Sequence, residues 1–162
     1  AVMLACRSDP TYSLLEWRGE AELKASFDRV TIPTPTGKMD SVSLIPDSFF
    51  VVQSPKGKAP FFLEVDRGTE TTGRFQIKIH AYQAYVASGA YEKRYGYKSL
   101  RVLTTAPSSK RLEGLKTVTE SAGGKERYWF AIQQEITPQK VFNGALWWVA
   151  GKHEQSALFA PI

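Results

Sequence analysis

Asp47, Glu64, Asp66 and Lys78 are the residues of this chain whose types and spacing suit chemistry. Asp47 follows Pro46 and opens a run rich in β-branched and aromatic residues, from Asp47 to Gln53. Glu64 and Asp66 close the next such run, from Ala59 to Asp66. If the two runs are the strands of a hairpin turning at residues 54–58, their outer ends are neighbours, and Glu64 and Asp66, two residues apart, share a face. Phe49, Phe50, Phe61, Phe62 and Leu63 flank them, and a carboxylate in such company is costly unless a cation or a hydrogen-bond donor satisfies it. Convergent carboxylates are what phosphodiester hydrolysis with Mg²⁺ or Mn²⁺ needs. They are hard oxygen ligands for an ion that polarises the phosphate and lowers the pKa of its bound water. Asp47, Glu64 and Asp66 are the candidate metal ligands. Lys78 is the candidate for positioning water or the scissile phosphate, and Tyr82, four residues on, shares its helical face. Arg67, Arg74, Lys93 and Arg94 are candidate contacts to DNA phosphates. Each acid also has a plainer reading: Asp47 beginning a strand out of a turn, Glu64 and Asp66 solvated on an edge strand.

These side chains need a scaffold, and the hydrophobic periodicity supplies one. Residues 1–7 read as the tail of a helix, Thr11 to Trp17 as a strand, and Glu20 to Phe27 as a short helix with Leu23 and Phe27 on one face. Residues 31–45, with Pro33, Pro35 and Gly37, read as a loop. After the hairpin and a polar loop at 67–73, residues 74–88 form an amphipathic helix with Phe75, Ile79, Tyr82 and Val86 on its apolar side. Ser99 to Thr105 is a buried, parallel strand. Ser108 or Ser109 caps a helix carrying Leu112, Leu115, Val118 and Ala122, which Gly123 and Gly124 end. Arg127 to Gln133 is another strand. Val141, Phe142, Leu146, Trp147 and Trp148 close the core as a short helix and an edge strand. The order predicts an α/β fold: helix, three-strand meander, helix, strand, then a further helix and strand, forming a mixed sheet with helices on its faces.

Composition narrows the classes. A chain of 162 residues, 43% hydrophobic, suits a single domain over 1–162. No apolar run approaches the roughly 18 residues of a membrane span. A single cysteine, Cys6, excludes an internal disulfide and a cysteine-cluster zinc site, which fits a cytoplasmic protein. The first residue is not Met, and the expectation is a C-terminal part of something longer. The net charge of +5 is uneven. Residues 1–65 carry 7 Lys/Arg against 8 Asp/Glu, residues 66–116 carry 10 against 4, and residues 117–162 carry 4 against 4. A basic middle third directly after the acidic motifs fits a polyanion-binding face beside a carboxylate site, although a solvated helix surface has the same composition. Lys93-Arg94 and Lys110-Arg111 are most simply solvated, and the two tryptophans at 147 and 148 are packing residues.

The run Pro46-Asp47, the segment from Phe62 to Glu70, and the segment from Lys78 to Tyr82 resemble the replication-relaxation family of plasmid and mobile-element proteins. They are also similar in pattern to the PD-(D/E)XK, or restriction-endonuclease-like, nucleases. The resemblance implies a restriction-endonuclease-like core, DNA as partner, and an upstream winged-helix domain. It implies a metal site with Asp47 and Glu64 as ligands and Lys78 and Tyr82 in place of a Gln-x-x-x-Tyr helix motif. One position departs: where those nucleases have a water-activating lysine, two residues after the second acid, this chain has Asp66. The resemblance therefore implies either a nuclease-like domain with Lys78 substituting from the helix, or a non-catalytic DNA- or protein-binding regulator of plasmid replication.

Overall fold

The computed structural model describes residues 1–159. The apolar runs become a seven-stranded mixed sheet. Strand β1 (Ser13–Gly19) is followed by β4 (Ser48–Ser54), β5 (Gly57–Val65), β6 (Arg101–Ala106), β7 (Tyr128–Ile132), β8 (Trp147–Val149) and β9 (Gln155–Ser156), adjacent in that order. β1, β4 and β5 form an antiparallel meander, while β5, β6 and β7 are parallel. The parallel strands are joined by α3 (Thr72–Ala87) with α4 (Ala90–Tyr95), and by α5 (Ser109–Ser121). A short helix, α1 (Val2–Ser8), precedes the sheet, and α2 (Glu20–Ala25) follows β1. The predicted α/β order is present, with β1, β4 and β5 as the meander. β5 is central rather than an edge strand, so Glu64 and Asp66 are not solvated: both are buried.

Side-chain alternation divides the core into two layers. On one face Phe49, Val51, Phe62, Val102 and Phe130 pack under α3 and α5. On the other, Phe50, Val52, Phe61, Leu103, Trp129 and Trp147 pack with Tyr12, Phe142 and Phe159. β4 and β5 are nearly apolar throughout because both their faces are covered. Phe50 lies opposite Phe61 with ring centroids 5.0 Å apart, and Phe49 lies opposite Phe62 at 5.4 Å. Each such aromatic pair contributes about 0.5–1.5 kcal/mol beyond the area it buries. Pro60 sits in β5 one residue before the pairing with β6 begins, so its missing N–H costs that ladder nothing.

Three expectations are corrected and one element is added. Residues 31–45 are not simply a loop: β2 (Asp28–Pro33) and β3 (Met39–Leu44) form a separate two-stranded sheet against α3. Only residues 34–38 turn, with Gly37 at φ +78°. Phe27 lies beyond the end of α2 and is exposed, whereas Leu23 is buried as expected. α4 is an additional helix, bounded by Gly89 and Gly96, both left-handed. At the C-terminal end β8 is flanked by β7 and β9 and is not an edge; a 3₁₀ segment spans Gln133–Glu135, and the residues around Val141 and Phe142 form hydrogen-bonded turns rather than a helix, the Val141 N–H donating to the Thr137 carbonyl at 2.9 Å and the Gly144 N–H to the Lys140 carbonyl at 2.8 Å.

Candidate functional site

The carboxyl ends of β5 and β6, together with the first turns of α3 and α5, place the acidic residues. Thr71 caps α3 by accepting from the Arg74 N–H at 3.3 Å, and Ser108 caps α5 by accepting from the Arg111 N–H at 3.3 Å. Glu64, in β5, and Asp66, just past its end, both project toward this helical layer. α3 meets the first and α5 the second.

Glu64 is 4% exposed. Its Oε2 accepts from Lys78 Nζ at 2.8 Å, and its Oε1 accepts a short hydrogen bond from the Tyr82 hydroxyl. The i, i+4 spacing of Lys78 and Tyr82 thus brings both onto one carboxylate, one to each oxygen. Burial pushes the Glu64 carboxyl up to about 7 even though Lys78 and Tyr82 favour its charged form, and the nearby Asp47 adds to the rise. Burial opposes the charge on Lys78, but Glu64 outweighs it, helped by Glu70 at 3.3 Å, and the ammonium is held above its ordinary value. The Tyr82 hydroxyl is driven well above its ordinary value by burial and then by the Glu64 charge, so it remains a donor.

Asp66 is satisfied separately. Arg111 donates to it through both Nε (2.8 Å) and Nη2 (2.7 Å), and the Gly68 N–H donates at 3.0 Å. The Arg111 hydrogen bonds hold the Asp66 carboxyl below its ordinary value against the effect of burial. Arg111 Nη2 also donates to the Glu70 carbonyl at 2.6 Å, while the Glu70 carboxylate faces Lys78. One residue of the 67–73 loop therefore links the two ion pairs. Arg111, expected to be solvated, is a half-buried structural cation, and neither it nor Glu70 stood out in the sequence. The buried Asp66 demanded a partner, but that partner is 45 residues away in sequence.

Asp47 comes to the same end of the sheet, where its N–H donates to the Leu63 carbonyl at 3.0 Å and its Oδ2 accepts from the Val65 N–H at 2.7 Å. It clamps the open end of the β4–β5 ladder. Arg67 and Arg74 are exposed near these acids, as is Lys110 in the first turn of α5. Lys93 and Arg94 lie elsewhere. Arg94 is paired with Asp28 at 2.9 Å and donates to the Ser26 carbonyl, and Asp28 also accepts from Tyr85. Tyr85 is 11 residues along α3 from Arg74, roughly 16 Å away. The four predicted DNA contacts thus form two groups, and Arg94 is occupied by protein partners.

The donor set bears on Mg²⁺ or Mn²⁺. Both oxygens of Glu64 and of Asp66 are engaged by protein donors, as is one oxygen of Asp47. Among the described residues, no three His, Cys, Asp or Glu side chains are grouped to hold a metal. As held, these residues do not fit a divalent ion, because Lys78 and Arg111 already supply the positive charge.

The family model described as replication-relaxation matches residues 1–100. The chain belongs to the replication-relaxation family. Membership associates it with replication of plasmids and mobile elements. The matched segment contains Asp47, Glu64, Asp66, Lys78 and Tyr82, and stops short of Arg111. The replication-relaxation segment therefore ends before β6, and residues beyond it complete both the sheet and the Asp66 ion pair. No curated protein matches the chain. Among the described residues, no helix is long and apolar enough to cross a membrane.

Proposed function

We propose that this replication-relaxation domain is a non-catalytic DNA-binding module that contacts duplex phosphates with the face at the carboxyl ends of β5 and β6. One observation carries the reading: the two buried acids at this end, Glu64 and Asp66, are each paired with an internal cation, while the nearby cations Arg67, Arg74 and Lys110 are exposed. Glu64 and Asp66 are buried against Lys78 and Arg111, so they do not oppose an incoming phosphate, and Arg67, Arg74 and Lys110 face solvent. The capped starts of α3 and α5 add N–H groups and the positive ends of two helix dipoles. Binding of this kind is electrostatic and weakens steeply with salt, because counterions are released from the DNA. The test is fluorescence anisotropy with a labelled duplex at low and moderate salt, comparing wild type with an Arg67→Glu/Arg74→Glu variant. The expected result is salt-sensitive binding that the variant weakens by about tenfold or more. Salt-insensitive retention, or equal binding by the variant, sinks the reading.

Metal-dependent hydrolysis is the second reading, favoured by the convergence of Asp47, Glu64 and Lys78 at one end of the sheet. It requires Lys78 to leave Glu64 before an ion could be shared with Asp47. Plasmid cleavage in Mn²⁺ by wild type and not by Asp47→Ala would support it; equal cutting by both, or none by either, would remove it.

A further inference from the structure

At the opposite end of the sheet, where β5 and β6 begin, lies a cleft of about 890 Å³ that the acidic site does not touch. Its walls are the β4–β5 turn, the starts of β6 and β7, and the segment from Ser156 to Phe159. Five cations line it, Lys56, Lys58, Arg101, Arg127 and Lys152, against one acid, Glu126. That acid engages only Lys152, at 3.8 Å and in the open. Lys56 and Lys58 are exposed and belong to no ion pair among the described residues. Arg127 keeps its Nε buried with no hydrogen-bond partner among the described residues, an uncommon and costly condition for a guanidinium. Arg101 faces no carboxylate. Its Nη1 donates to the Leu158 carbonyl at 2.6 Å, its guanidinium lies over the Trp129 ring at 4.8 Å, and burial alone holds it below its ordinary value.

Ion pairing does not account for this concentration of charge. At the other end of the sheet buried carboxylates pair with Lys78 and Arg111, whereas here, apart from the exposed Glu126–Lys152 contact, no ion pair among the described residues involves the lining cations. A concave volume of this size is typical of a cleft that encloses a small ligand or a short chain segment, and is too small to take in the width of a duplex. Cations arranged along a groove, with an arginine plane backed by an aromatic ring, form the arrangement that tracks a strand's phosphates and stacks on a base.

We propose that the cleft between the β4–β5 turn and the starts of β6 and β7 binds a short stretch of single-stranded nucleic acid through its phosphates. Lys56, Lys58 and Arg127 take the backbone, and the guanidinium of Arg101 provides a stacking surface. The site is separate from the duplex-binding face and does not depend on it.

The experiment is anisotropy of a labelled oligothymidylate of about 12 nucleotides with the full chain, at about 50 and 200 mM NaCl. The variants are Lys56→Glu/Lys58→Glu, whose exposed side chains, one in the β4–β5 turn and one at the start of β5, lie outside the core, and Arg67→Glu/Arg74→Glu as the control for the other face. Unchanged melting temperatures establish that both are folded. The expected result is strand binding that Lys56→Glu/Lys58→Glu weakens by about tenfold or more, with a salt slope shallower by about 1.4, or about 0.7 for each lost phosphate contact. Arg67→Glu/Arg74→Glu should bind the strand as wild type does. A competition arm with inorganic tripolyphosphate separates a strand from a free phosphate ligand: displacement only by a large excess supports the strand. Displacement at equal phosphate concentration overturns it in favour of a small phosphorylated ligand. No strand binding by wild type, or binding unaffected by Lys56→Glu/Lys58→Glu, also overturns the proposal.

Discussion

Replacing Glu64 with glutamine should remove a pH dependence of stability that this one carboxyl imposes. In the fold its pKa is raised from 4.5 to about 7, chiefly by burial. Unfolding returns it to water, so between about pH 4.5 and 7 the folded state holds the proton more tightly than the unfolded state does. The unfolded state binds fewer protons there, and stability therefore falls as pH rises across that window. The gap spans about 2.5 pH units at about 1.4 kcal/mol each, so about 3–4 kcal/mol of stability is present below pH 4.5 and lost as the pH rises through 7. Asp66 acts outside this window. Its carboxyl is held low, so its contribution is present above its unfolded value and disappears only as the pH falls through the depressed one. Glutamine keeps the shape of Glu64, can accept from Lys78, and carries no charge to desolvate. Urea unfolding of both proteins at pH 5 and pH 8 measures the effect. Wild type should lose the larger share of its stability between the two, and Glu64→Gln should be the more stable protein at pH 8. Parallel profiles for the two proteins would refute the reasoning, since Glu64 would then be ionised with Lys78 throughout.

Other perturbations separate the remaining contacts. Arg111→Met strands the buried Asp66 and should cost about 3–5 kcal/mol, lowering the melting temperature by on the order of 10 °C, while Arg111→Lys should fall between because it keeps the charge but not the two-pronged geometry. Gly124→Ala would place a Cβ 2.5 Å from Thr119 Cγ2 and 2.9 Å from the Thr119 carbonyl, and should destabilise by about 1–3 kcal/mol in denaturant unfolding. Gly114→Ala, in α5 with nothing within 4 Å of its Cβ, should instead stabilise by about 0.5–1 kcal/mol in the same assay.

What the sequence made legible was what local spacing determines. The apolar runs of β4 and β5 marked a buried hairpin, and Lys78 and Tyr82, one turn apart, marked a shared helical face that the structure aims at Glu64. The β2–β3 sheet was hidden because Pro33, Pro35 and Gly37 suggested a loop, although the alternation that buries Val30 and Ile32 was in view. Those breakers mark only the end of a strand and its turn. Arg111 was hidden for a different reason. A solvated Lys-Arg pair and a buried guanidinium look the same in sequence, and only the parallel pairing of β5 with β6 brings α5 to Asp66. The cleft cations were unreadable for the same cause, since Lys56, Arg101 and Arg127 come from three separate elements that meet only in the assembled sheet.

The β2–β3 hairpin has a consequence for how this domain can diversify. The chain leaves the large sheet after Gly19 and re-enters at Ser48, and these two residues face each other across the β1–β4 ladder. The 28 residues from 20 to 47 are therefore an excursion whose two ends are already held together by the sheet. Lengthening such a segment changes little in free energy, about 0.6 kcal/mol for each doubling of a flexible loop, and it cannot shift the register of β1 or β4. Relatives are free to shorten, extend or replace this excursion, provided they keep an apolar face for α3 such as Val30, Ile32 and Leu44 supply here. Because the segment returns through Pro46 and Asp47 to the acidic end of the sheet, the most replaceable part of the fold borders its most constrained residues.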